Sequence, residues 1–335
     1  MRGMRVAMLV TALVMLFAAC SGDDDASDAS NTTQREPAET NATTTDTESV
    51  DVATFNVLHG LFCPAETDWC HAPDRAALLA STLEDAGCPE LVGLQEISER
   101  QEEVLPASLE AVCDGRYEMK WNDINSPDQQ VVLTTLPVVD EAYVDIANAP
   151  WEAYWVRVDT EQGPVDFITA HFASSSNNPP CDASLCPPVC EAGIETNQCH
   201  AHEVVDFFEQ RADSAAITVV AGDLNATPDT PTIAVLTDAG FTDAWLAAGN
   251  DECDADTGVG CTGGRPRPEN ALDGLDVPDG RYSERIDFVL TRGDGECEPD
   301  VVKAENLAGE PLAEPFNGLY WPSDHAGVVA ELRCG

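Results

Sequence analysis

The chain has 335 residues and carries 61 acidic against 16 basic side chains, a formal net charge of −45 at neutral pH. So acidic a surface repels polyanions at range and lacks the basic stripe of a tight, non-specific duplex binder. It leaves open a metal-assisted nuclease, and it suits a saline medium that screens self-repulsion.

At the N-terminus, Arg2 and Arg5 precede an apolar run over residues 6–17. That run is shorter than the ~20 apolar residues a bilayer span needs, so residues 1–19 read as a secretory signal. Ala18 and Ala19 stand directly before Cys20, which predicts cleavage there and acylation of the Cys20 thiol. The protein is then expected outside the cytoplasm, lipid-anchored to a bacterial membrane or secreted. Residues 20–50 are rich in Ser, Thr, Asp and Asn without apolar periodicity, so they cannot bury enough surface to offset chain entropy and read as a tether. Residues 51–335 are enough for one large layered domain.

In that domain, β-branched residues predict a strand over 50–58 whose end carries Asn56. A helix follows over 73–86, with Pro73 in its first turn and Gly87 as its stop, and a strand over 90–95 delivers Glu96. A strand, helix, strand order implies a crossover that leaves Asn56 and Glu96 at the same sheet end. Residues 99–113 read as a helix, and 117–121, 130–135, 138–146, 153–158 and 165–170 as strands, the last terminated by His171. An insertion over 173–199, rich in Ser, Asn, Pro and Cys, adjoins His171, where it would shape substrate access. A helix over 202–213 feeds a strand over 217–222 within V-V-A-G-D-L-N. An apolar run of this kind is buried on both faces, so Asp223 and Asn225 emerge at the rim of the sheet. A carboxylate beside a carboxamide there can take a proton from water and donate to an anion, although Asp and Asn after a strand are also common turn formers. Residues 228–239 read as a helix, 240–245 as a loop and 250–280 as a long loop. Asp287 falls in a strand over 284–290, and Asp324 and His325 precede the last strand.

Beyond Cys20 there are twelve cysteines, an even set that reads as disulfides in an oxidising compartment. Spacing suggests Cys63 with Cys70, Cys253 with Cys261 and Cys297 with Cys334, without deciding connectivity. The group from Cys181 to Cys199, with His200 and His202, has zinc site as its alternative reading.

Taken in order, F-N-V, L-Q-E, T-A-H-F, G-D-L-N, R-I-D-F and S-D-H resemble the endonuclease/exonuclease/phosphatase superfamily over almost all of the chain after the tether. The resemblance implies an α/β fold, a four-layer sandwich of two facing mixed β-sheets flanked by helices, and metal-dependent hydrolysis of phosphate esters by a protein expected to be a monomer. By position, Glu96 resembles the principal Mg²⁺ ligand, with Asn56 and Asp324 completing or supporting the metal environment and Mn²⁺ or Ca²⁺ as substitutes. Asp223 resembles the residue that aligns or deprotonates the attacking water, and Asn225 the one that steadies it and a phosphate oxygen. His325 resembles the histidine at the scissile phosphate, oriented by Asp287, and His171 the second histidine of the deoxyribonuclease branch. The family's usual Ser-Arg pattern is replaced by Q-Q-V-V-L-T-T-L at 129–136, so that phosphate contact is in question. Nucleic acid and a phospholipid or sugar-phosphate head group are the rival substrates. A non-catalytic surface binding protein on the same scaffold is the reading from another class, and the presence of Glu96, Asp223 and His325 weighs against it.

Overall fold

The structure, a computed structural model, describes residues 48–59, 68–121, 129–147, 152–174, 178–181, 186–211, 215–266 and 272–335. The chain divides into Met1–Thr45 and Asp46–Gly335, and the described residues all lie in the second unit. The expected signal, Cys20, nearly all of the tether, and Cys63 lie outside the described residues.

Two six-stranded mixed sheets form the centre. The first runs β11 (Pro299–Leu307), β12 (Gly327–Cys334), β1 (Val50–Asn56), β2 (Leu91–Ile97), β4 (Gln129–Thr134), β3 (Glu118–Lys120). The second runs β5 (Val138–Asp145), β6 (Glu152–Thr160), β7 (Gly163–His171), β8 (Ile217–Asp223), β10 (Asp287–Gly293), β9 (Thr242–Asp243). Their inner faces share one apolar core, where Val52, Leu91 and Val132 of the first sheet meet Phe167, Val219 and Val289 of the second. Helices α1 (Asp68–Asp85) and α2 (Glu99–Leu109) cover the outer face of the first sheet through Leu79, Leu83 and Leu105. Helices α3 (Thr196–Glu209) and α4 (Pro231–Asp238) cover the second through Val204, Phe208 and Leu236. This is the expected four-layer sandwich, and all seven residues of β8 are buried, as its unbroken apolar run requires.

The sheets approach closely below the rim. A Cβ at Gly93 would lie 2.6 Å from Thr169 Oγ1 of the other sheet. Gln95 fills the gap with a polar bridge, its Nε2 donating to Thr54 Oγ1 at 3.0 Å in its own sheet and to Thr169 Oγ1 at 2.8 Å in the other.

Several boundaries differ from the sequence reading. α1 includes residues before Pro73, but Asp68, Cys70 and His71 have positive φ, so its regular turns begin where Pro73 places them. α2 ends at Leu109, because Cys113 and Asp114 turn into positive φ and Cys113 is bonded to Cys88. α3 begins at Thr196, inside the Cys-rich insertion, where Thr196, Asn197 and Cys199 are buried. α4 begins at Pro231 and β10 at Asp287. Residues 240–245 are not simply a loop: they contain the edge strand β9 and the start of α5 (Ala244–Ala247), capped by the Asp243 carboxylate accepting from Trp245 N. β11 was not foreseen, because its polar residues interrupt every apolar run. The pairs Cys253–Cys261 and Cys297–Cys334 form as expected. Cys181–Cys186 and Cys190–Cys199 are also disulfides, so these sulfurs do not present the thiolates of the alternative zinc site.

Candidate active site

Strand register assembles the site. β1 and β2 are parallel with Asn56 opposite Gln95, which sets Glu96 one step beyond. β2 has a bulge against β4 between Leu94 and Ile97, and Glu96 takes a φ of 62° there. Bulges re-aim side chains, and this one turns Glu96 toward the end of β1. In the second sheet, Asp223 ends β8 with His171 opposite it on β7 and Asp287 opposite it on β10. Three acid or imidazole side chains thus stand abreast at one rim.

Asn56 joins the halves. Its buried Nδ2 donates to Glu96 Oε1 at 3.0 Å and, across the sheet interface, to Asp223 Oδ2 at 3.0 Å. Its Oδ1 accepts from Leu58 N at 3.0 Å, so Asn56 holds the two carboxylates together as a donor. The other Asp223 oxygen accepts from Asn225 N at 3.0 Å. Asn225 takes positive φ and donates through Nδ2 to the Phe172 carbonyl at 3.0 Å. His171 Nε2 and His325 Nε2 lie 3.6 and 3.8 Å from Asp223 Oδ2.

His325 Nδ1 is 3.0 Å from Asp287 Oδ2. Burial disfavours a charged imidazole, yet the Asp287 and Asp223 carboxylates outweigh it and hold His325 well above its ordinary range. Burial and the neighbouring Asp223 charge push Asp287 up to about 6, against the opposing pull of His325. His325 is therefore a cationic donor at neutral pH, oriented by Asp287. Asp324 is buried beside it, its Oδ1 3.3 Å from Ser323 Oγ. All eight residues singled out for catalysis or metal binding lie at this one end of the sandwich.

The sequence did not point to the groups that hold them. Arg75 of α1 is buried, and its guanidinium donates to the carbonyls of Cys70, Val57, Leu58 and Pro322. It pins the segment after Asn56 to the one before Asp324. Burial lowers Arg75 to about 10 despite the pull of Asp324 and Glu96, so it stays charged. His59 donates its backbone N–H to Glu96 Oε2 at 2.9 Å. Ser323 Oγ donates to the Asn56 carbonyl at 2.7 Å, and Thr262 Oγ1 accepts from the backbone N–H of Ile286 and Asp287, each at 3.0 Å. The only advance signal among these was the Ser of S-D-H.

Glu96, Asp223, Asp287 and Asp324 bring four carboxylates to this end, and Arg75, the cation packed against Glu96 and Asp324, directs its N–H groups at backbone oxygens. Carboxylate oxygens with surplus negative charge fit a hard divalent cation. Asp223, Asp287 and His325 additionally offer ligand atoms within 4.8 Å of one another.

Among solved structures the chain is similar to D. rerio TDP2 complexed with single strand DNA product, at 16% identity and a TM-score of 0.60, covering 85% of this chain and 99% of that one. It is also similar to an endonuclease/exonuclease/phosphatase from Bacteroides vulgatus, at 18% identity and a TM-score of 0.59, covering 86% and 100%. C. elegans TDP2, truncated, matches at 16% identity and a TM-score of 0.55, covering 85% and 98%. At these identities the likeness concerns the fold. No curated protein matches the sequence. The family model for the Endonuclease/Exonuclease/phosphatase family matches residues 53–325, the span that holds every residue of the rim, and the chain belongs to that family.

Proposed function

We propose that the protein is a metal-dependent phosphodiester hydrolase, held outside the cytoplasm by a lipid on Cys20. The observation that carries this reading is the convergence of Asn56, His171 and His325 on one oxygen of Asp223. Phosphoryl transfer needs an aligned water and fixed donors around the phosphate oxygens. Asp223 aligns the water and accepts its proton, and Asn225 steadies both. His325, cationic and oriented by Asp287, donates from Nε2 to a non-bridging oxygen, with His171 as the second imidazole donor. Glu96 and Asp324, supported by Asn56, would hold Mg²⁺, with Mn²⁺ or Ca²⁺ as substitutes. A divalent cation bound there offsets the charge that grows on phosphate oxygens.

Asp223→Asn and His325→Gln are expected to lower Mg²⁺-dependent hydrolysis of bis-p-nitrophenyl phosphate by roughly 10³-fold each, with thermal melts showing both variants folded. Wild-type rates in both folded variants would remove the assigned mechanism. The acidic surface favours a compact head group, whereas the likeness to a TDP2 structure that contains single-stranded DNA product favours a nucleic acid.

A further inference from the structure

A cavity of about 350 Å³ is lined in part by Asn225, whose backbone N–H donates to Asp223 Oδ1. One wall is the Cys-rich insertion, through Asn178, Glu195 and Asn197. The other is the segment from Asn225 to Thr232, with Glu284 and Ile286 leading into Asp287. Its polar groups form a connected frame. Asn178 Nδ2 donates to Glu195 Oε2 at 3.0 Å, Asn178 Oδ1 accepts from Asn197 N at 2.9 Å, and Asn197 Oδ1 accepts from Thr232 Oγ1 at 3.1 Å. Asn197 Nδ2 then reaches the Asn225 carbonyl at 3.4 Å, tying the frame to the catalytic rim. Glu195 and Asn197 lie within the loop closed by the Cys190–Cys199 disulfide.

The lining decides what enters. Among the described residues it has amides, hydroxyls and two carboxylates, with no Lys, Arg or His and no aromatic ring. A substituent bearing a second phosphate would meet Glu195 and Glu284 with no cation among the described lining residues to pair it, a like-charge penalty. A quaternary ammonium would lack the aromatic faces that such cations favour. Hydroxyl groups, which both donate and accept, suit mixed carboxylates and amides.

We infer that this cavity receives a neutral, hydroxyl-rich arm of the phosphodiester substrate, a sugar or cyclitol. This rests on the phosphodiesterase reading above. The test compares three p-nitrophenyl phosphodiesters whose other arm is myo-inositol, choline, or thymidine 5′-phosphate attached through its 3′ oxygen. In each, water forms a bond to phosphorus and the bond to p-nitrophenolate breaks, so the second arm stays on the phosphate. Wild-type kcat/KM is expected to be about tenfold higher for the inositol probe than for either other. Asn178→Ala should cut the ratio of inositol to nucleotide probe about fivefold, through KM. Glu284→Lys should raise kcat/KM for the nucleotide probe relative to the choline probe. Thermal melts check that both variants fold. Preference for the choline or nucleotide arm, or ratios unmoved in both folded variants, would overturn the subsite while leaving the hydrolase reading intact. If no probe is turned over beyond the level of Asp223→Asn, the hydrolase reading fails and the subsite falls with it.

Discussion

β1 and β2 carry acidic groups at both of their ends, and the two ends behave differently. Where the strands finish, Glu96 and Asp223 share the Asn56 amide, Asp287 meets His325, and Arg75 ties down the backbone around them. Where the strands start, acids meet acids. Asp51 accompanies Glu90 and Glu331, and burial together with those charges raises it to about 6, while Glu161 raises Glu48. The cavity at that end is lined by Glu48, Glu90, Asp159 and Glu161. The contrast teaches that clustered acids alone do not make such a site: at the rim Glu96 and both oxygens of Asp223 meet donors, whereas at the other end the acids face one another.

The broadest way to break the comparison is chelation. EDTA is expected to abolish hydrolysis of bis-p-nitrophenyl phosphate, with Mg²⁺ restoring it, and the same loss should not follow from neutralising Asp51. Activity that survives chelation would put the two ends on equal terms. Next in size, Asp287→Asn should cost roughly 10²-fold in kcat/KM, because His325 loses both its orienter and a charge that raises its pKa. The basic limb of the pH–rate profile should move to lower pH. Arg75→Met leaves several buried carbonyls without their donor, and urea unfolding should show a loss of about 3 kcal/mol.

The smallest effect lies at the far end. The folded Asp51 carboxyl keeps its proton up to about pH 6, whereas the unfolded one releases it near 3.8. Its contribution to stability is therefore full below the unfolded pKa and is lost as pH rises through about 6. Asp51→Asn should raise stability by about 1 kcal/mol above pH 7, given its partial exposure, and change little below pH 4. Thermal melts across that range measure it, and an unchanged pH slope would erase the distinction between the ends.

What could be read in the sequence were residues that end apolar runs. Asn56, His171 and Asp223 each close a strand and Glu96 is the penultimate residue of one, and a buried strand leaves its end side chains at a rim. The groups that hold them follow no local pattern. Arg75 sits in an amphipathic helix, where an arginine usually faces solvent, and its link to Pro322 spans 247 positions. Glu96 is aimed by a bulge that depends on how β4 pairs with β2. Thr262 supports Asp287 from within a glycine-rich loop. β9 and β11 were obscure because edge strands need only one buried face and tolerate polar residues elsewhere. β11 accordingly buries Val301, Ala304 and Leu307 and exposes most of the remainder.

The Asn56 amide takes one carboxylate from each half of the sandwich, so the rim is complete only when the two halves are docked. Either sheet could form alone without bringing Glu96 and Asp223 to a common donor. Parting the halves would separate Glu96 from Asp223, so the proposed hydrolysis is expected only from a chain whose two sheets are docked.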